Sequence, residues 1–166
     1  MKTLYLIRHA KSSWKHDYLA DFDRPLNKRG KRDAPVMGRR LKLHGVPELF
    51  LFSPARRAIR TAEVIADETG YPSEQIRTDE AIYLAGEKSL LKIIGRIEDR
   101  FDSVALFGHN PGFTLLANLL SNESVENIPT CGIFCIGLNI KSWRDVAAGK
   151  GKMIFFDYPK RHVKDE

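Results

Sequence analysis

The chain has 166 residues, 43% of them hydrophobic and 29% charged, a balance that suits a folded globular protein and argues against disorder. Its formal charge is +6, a surplus that asks for an anionic partner or substrate. No apolar run approaches membrane-spanning length, and the N-terminal apolar stretch runs straight into charges. Neither a membrane span nor a secretory signal is therefore expected, and a cytoplasmic protein is.

In chain order, Thr3 to Ile7 reads as a short strand too apolar to have a wet face, the pattern of a parallel strand covered on both sides. A polar loop from Lys11 to Asn27 leads to a helix from about Lys28 to Leu43, closed by Gly45 with Pro47 beyond. Glu48 to Phe52 is a second strand. Ser53 to Thr69 is a helix that stops at Gly70, with Ser53 as its cap and Pro54 as its first residue. Gln75 to Thr78 is a short strand, and Lys88 to Arg100 a helix whose Leu90, Leu91, Ile94 and Ile97 recur at helical spacing. Val104 to Phe107 is a strand and Pro111 to about Leu120 a helix; Gly132 to Ile140 and Lys152 to Tyr158 form a final strand pair. Alternation first and a strand pair last predict an α/β fold of three layers, α/β/α, with a mostly parallel sheet and one antiparallel strand.

Cys131 and Cys135 stand at alternate-strand spacing in CGIFCIGL. They are expected to share one face of a strand as buried thiols, in neither a disulfide nor a zinc site. Arg24, Lys28, Arg29, Lys31, Arg32, Arg39, Arg40 and Lys42 form a cationic stretch in which Asp33 is the only acid. With no aromatic interleaving, helix-turn-helix spacing or zinc pattern beside it, it reads as a solvated basic face, not a nucleic-acid site.

Three strand-to-helix turns carry the chemistry. Arg8 and His9 end the first strand, and in open α/β sheets that edge is where ligands bind. In the second turn, Arg56, Arg60, Glu63 and Asp67 mark the solvent stripe of their helix, whereas Arg57 continues through Thr61 and Val64 and is turned toward the interior or the cleft. The third follows Val104 to Phe107: Gly108 permits a tight turn, His109 comes next, Asn110 caps and Pro111 starts a helix. Two histidines and two arginines without a carboxylate cluster make a poor metal site and a good dianion pocket. Guanidinium forks suit phosphate oxygens, and a neutral imidazole can attack phosphorus.

R-H-A at residues 8–10, S-P-A-R-R-A-I-R-T-A at 53–62 and G-H-N-P at 108–111 resemble the motifs of the histidine phosphatase superfamily. The short length resembles its small branch, the SixA-type phosphohistidine phosphatases, over about residues 2–158. The resemblance implies one phosphoglycerate mutase-like domain over residues 1–166 and phosphoryl transfer through a phosphohistidine, with no metal or other cofactor. It makes His9 the nucleophile, gives Arg8 and Arg57 the phosphoryl oxygens, and has His109 complete the pocket. Arg24, in DRPLNKRG, becomes a loop organiser. Ala10 departs from the usual glycine of the first motif. Larger members carry a carboxylic acid in an insertion that this chain lacks; Glu80 and Glu87 are the candidates in the brief segment RTDEAIYLAGEK, and both read as surface acids. The expected substrate is phosphorylated, with phosphohistidine in a protein first. The alternatives are a small-molecule phosphatase, a phosphoglycerate-type mutase and a non-catalytic phosphate-binding module. Neither nucleic acid nor membrane is an expected partner.

Overall fold

The computed structural model describes residues 1–163. Six strands form one sheet: β1 (Lys2–Arg8), β2 (Leu49–Phe52), β3 (Arg77–Thr78), β4 (Ser103–Gly108), β5 (Ile133–Leu138) and β6 (Gly151–Asp157), in the order β3-β2-β4-β1-β5-β6. The pairings β2 with β3, β2 with β4 and β1 with β4 are parallel. β5 runs antiparallel to both of its neighbours, β1 and β6. It is the one antiparallel strand that the terminal strand pair predicts.

Strand alternation sorts the core into two layers. Leu4, Leu6, Leu49, Leu51, Val104 and Leu106 face α3 (Glu87–Gly95) and α4 (Gly112–Ser121), where they meet Leu90, Ile94, Phe113 and Leu116. Tyr5, Ile7, Phe50, Phe52, Ala105 and Phe107 face α1 (Lys28–His44) and α2 (Arg56–Thr69), where they meet Met37, Leu41, Ala62 and Ile65. Asn27 accepts from the Gly30 amide to cap α1. A Cβ on Gly30 would lie 2.2 Å from the Lys11 carbonyl oxygen, so only glycine lets α1 press on the chain leaving β1. Part of the basic stretch is spent within the fold: Arg29 and Arg32 pair with the fully buried Asp33, Arg39 with Glu68 and Arg40 with Asp157.

Several expectations move. Helix α2 starts at Arg56, not at Pro54, and Ser53 is not its cap: the Ser53 hydroxyl accepts from the Ala55 amide and faces His109. Helix α3 stops at Gly95 instead of Arg100, since a glycine inside a helix costs about 1 kcal/mol relative to alanine and offers a cheap place to leave it. Ser73–Gln75 winds into a 3-10 turn and leaves β3 two residues long. Cys131 lies before β5 in the left-handed region (φ 61°), so the two cysteines do not share a strand. Both remain buried free thiols in the α1–α2 layer, and burial pushes both thiols up, Cys135 to about 12. Gly108 ends β4 without the positive φ of a tight turn; what it provides is room, because a Cβ there would lie 2.6 Å from the Phe113 ring. Among the described residues no helix is long and apolar enough to cross a membrane.

Candidate active site

Because β1, β4 and β2 are adjacent and parallel, the residues that follow their last pairs, Arg8–Gly108 and Phe52–Phe107, emerge side by side at one edge. The backbone ladder reaches past the strands: the His9 amide donates to the Gly108 carbonyl, the Ser53 amide to Phe107 and the Cys131 amide to the His9 carbonyl. These bonds hold His9, His109 and Ser53 on continuous sheet geometry. The His9 and His109 rings sit 5.3 Å apart between centroids, and both residues are buried.

Each imidazole has an assigned proton. His9 Nδ1 lies 2.8 Å from the Ala10 carbonyl oxygen, which only accepts, so Nδ1 carries the hydrogen and Nε2 keeps a lone pair. The Ala10 amide donates to Thr61 Oγ1, and Thr61 in turn donates to the Arg57 carbonyl, fastening this turn to α2. Ala10 takes an ordinary backbone conformation with its methyl fully buried, so the departure from glycine costs nothing here. At His109, Arg57 Nη2 approaches Nδ1 at 3.4 Å; a guanidinium only donates, so Nδ1 accepts and Nε2–H donates to Ser53 Oγ at 2.7 Å.

Burial pushes the His9 imidazole down to about 3, and the charges of His109, Arg57 and Arg8 add to this against the opposing bond to Ala10. Burial and then Arg57 bring His109 down to about 4. Both rings are therefore uncharged at neutral pH. An imidazole in the unfolded chain takes its proton near 6.5, so the unfolded state binds more protons as the pH drops, and these two groups erode stability progressively below that value. An NMR titration of the free protein should show His109 taking its proton near pH 4 and His9 below it, and titration of either ring near 6.5 would contradict the assignment.

The structure brings together all four residues expected at the site: Arg8, His9, Arg57 and His109. Arg8 Nη1 donates to the Ile128 carbonyl, and its own charge is disfavoured by burial and by Arg57. Arg57 is buried while its neighbour Arg56 is exposed, as the helix phase requires. The Nε atoms of Arg8 and Arg57 are buried and find no hydrogen-bond partner among the described residues, a state shared by Arg29 and Arg40 outside the site.

Asp21 is the residue that spacing does not reveal. It sits in a 3-10 turn (Asp21–Asp23) on a loop pinched shut by the Ser12–Leu26 bridge. Its carbonyl accepts from Arg57 Nη1 at 2.7 Å, and its Oδ2 from Arg57 Nη2 at 3.0 Å and from the Tyr83 hydroxyl at 2.6 Å. Its Oδ1 accepts from Arg24 Nε, while Arg24 Nη1 reaches Ser12 across the same loop, the organising contacts expected of Arg24. Burial alone would raise the Asp21 carboxyl, but Tyr83, Arg57 and Arg24 outweigh it and hold the group down at about 2. Glu80 is exposed, Glu87 opens α3 half-exposed, and neither bonds to the four central residues. The short segment between α2 and α3 contributes Tyr83 instead, whose ring also meets His109 edge-on at 5.5 Å. Among the described residues, no three His, Cys, Asp or Glu side chains cluster in a way that could hold a metal ion.

A three-layer α/β/α fold that gathers Arg8, His9 and His109 from its parallel strand ends and Arg57 from the start of α2 offers a pocket suited to a phosphoryl group. Residues 4–82 match the model of the histidine phosphatase superfamily (branch 1). An uncharacterised protein of Mycobacterium tuberculosis is 31% identical over 165 residues, spanning 93% of this chain and all of its own length. The chain belongs to the histidine phosphatase superfamily. Its fold is similar to that of an Agrobacterium tumefaciens protein assigned as the phosphohistidine phosphatase SixA (TM-score 0.77, 25% identity, 95% of this chain and 98% of that one). It is likewise similar to the protein histidine phosphatase SixA in complex with tungstate (TM-score 0.77, 23% identity, 97% and 99%).

Proposed function

We propose that this protein is a metal-independent phosphatase that works through a covalent phosphohistidine on His9 and acts on phosphohistidine in proteins. The observation that carries the reading is an imidazole whose Nε2 lone pair is free, 5.3 Å from the ring of His109 and beside the guanidinium groups of Arg8 and Arg57. The bland alternative, two structural histidines, leaves unexplained why two mutually repelling guanidinium groups are gathered beside them.

In the proposed reaction His9 Nε2 attacks phosphorus as the substrate's N–P bond breaks, and the departing imidazole nitrogen takes up a proton from solvent. Water then attacks phosphorus, the Nε2–P bond breaks, and phosphate leaves with His9 neutral again. Arg8 and Arg57 hold the phosphoryl oxygens. His109 meets the charge that develops on them by turning the Nε2–H that it gives to Ser53 in the free protein toward a phosphoryl oxygen.

The substrate preference follows from protonation. The carboxylate that reaches the site, Asp21, is ionised at any physiological pH and has no proton to give a leaving alkoxide. Burial, and then Asp21, raise the Tyr83 hydroxyl, which weakens it as an acid as well. An imidazole leaving group needs less help. The SixA neighbours, one named a phosphohistidine phosphatase and the other a protein histidine phosphatase, support the same preference.

The test is turnover of a panel in excess chelator: a histidine-phosphorylated protein, free phosphohistidine, sugar phosphates, 3-phosphoglycerate and serine phosphopeptides. Phosphohistidine should exceed alkyl phosphates by about a hundredfold or more, with vanadate inhibiting throughout. Equal rates on alkyl phosphates would refute the preference. Activity lost in chelator and restored by a divalent ion would refute metal independence.

A further inference from the structure

The loop that delivers Asp21 also displays large apolar side chains outward. Trp14 is 72% exposed and Tyr18 79%, and Phe22 is exposed as well. Leu84, beyond the site residue Tyr83, is 60% exposed and is held at φ 54°, a conformation that a leucine rarely takes. All but Tyr18 are tied to the site. Trp14 covers the Arg24 guanidinium at 3.5 Å, Phe22 packs edge-on against Tyr83 at 5.2 Å, and Leu84 follows Tyr83 in sequence. Neither core layer includes any of the four. Strain and exposed apolar area gathered around one pocket are costs that the fold itself does not require.

Beside this rim a groove of about 440 Å³ runs between the 22–26 segment and α2. Phe22, Leu26 and Ile59 give it an apolar floor, and Lys31, Arg56 and Arg60 stand along it. None of these three cations forms an ion pair with a described residue, and they outnumber the two acids on the groove, Asp23 and Glu63. Phe22 lines the groove and also packs on Tyr83, so groove and pocket are continuous.

We propose that this rim and groove are a docking surface for a folded acidic protein, which presents its phosphorylated side chain to the pocket with apolar residues around it and carboxylates against Arg56, Arg60 and Lys31. The net charge of +6 favours an acidic partner, and the exposed aromatic and leucine side chains favour protein over a free metabolite, which has no surface to cover them. The inference rests on the phosphatase reading above and specifies how its substrate is held.

The experiment compares two substrates on one enzyme: a small acidic domain with a single surface histidine, phosphorylated with phosphoramidate, and free phosphohistidine. Lys31→Glu and Arg60→Glu alter groove residues outside the catalytic cluster. Combined, they should lower kcat/KM for the protein substrate by about tenfold or more, through KM, and leave free phosphohistidine within about twofold; Arg60→Lys should retain both activities. Equal losses on the two substrates, or no loss on the protein, would overturn the docking surface while leaving the phosphatase reading intact. A parent enzyme that hydrolyses 4-nitrophenyl phosphate but neither phosphohistidine substrate would overturn the docking surface together with the phosphohistidine preference. Tight binding of the parent to vesicles of phosphatidylcholine and phosphatidylglycerol, lost in the double variant whose protein substrate is unaffected, would assign the surface to lipid instead.

Discussion

Quenched in base during turnover of a labelled substrate, the protein should carry the phosphoryl group on His9, and specifically on Nε2. The nitrogen is set by geometry: Nδ1 spends its hydrogen on the Ala10 carbonyl, so only Nε2 offers a lone pair. The bond formed is a phosphoramidate, stable in base and labile in acid, and the two ring positions are distinguishable by NMR. Burial keeps the ring uncharged, so the attacking form is the resident one and needs no separate base. His9→Ala should abolish both the trapped species and the activity, a loss of several orders of magnitude, because the other imidazole at the site, His109, has its nitrogens engaged by Arg57 and Ser53. His109→Ala should slow formation and breakdown of the intermediate alike and leave His9 the labelled residue. Label on His109, on a carboxylate, or on Nδ1 of His9 would refute the assignment.

How much of this was legible follows from which interactions are local. The β1 and β4 strands read correctly because their apolar runs are uninterrupted, and the inward turn of Arg57 because helix phase is a property of neighbours in sequence. Ser53 departs from its local expectation for a physical reason: Ser-Pro is a good local helix start, but the hydroxyl meets His109 Nε2, which is 56 residues away. Asp21 and Tyr83, 62 residues apart, meet only once α2 and the 3-10 turn at Glu80–Ile82 are packed. No periodicity announces a contact between two loop residues. The apolar spacing extends past the end of α3 because Ile97 is buried and keeps the helical period, although Arg96 already caps the helix. The apolar pattern reports burial, and burial continues past the last helical turn.

The adjacent arginines provide the sharpest quantitative contrast. Arg57→Ala should lower kcat/KM by about a thousandfold or more, of the order seen when a preorganised donor to a developing oxyanion is removed. The loss has two parts. One is the missing guanidinium, which is buried and aligned by Asp21 from two directions. The other is Asp21 itself, whose carboxylate would then face the incoming phosphoryl dianion with Arg24 as its remaining cationic partner. Arg56, one residue earlier, is exposed and makes a single long contact, 3.5 Å to the Asp23 carbonyl, so Arg56→Ala should change turnover of free phosphohistidine by no more than about threefold. A double-mutant cycle separates the two parts. Asp21→Asn alone should cost roughly tenfold to a hundredfold by loosening Arg57, whereas in the Arg57→Ala background the same change removes an unwanted negative charge and should recover activity. That reversal of sign is the decisive readout, because a carboxylate that merely braces the loop would be damaging to lose in both backgrounds. If Asp21→Asn lowers kcat/KM by the same factor with and without Arg57, the two residues act independently and Asp21 does not position Arg57. If Arg56→Ala is as severe as Arg57→Ala, the inward orientation of Arg57 is not what matters for turnover.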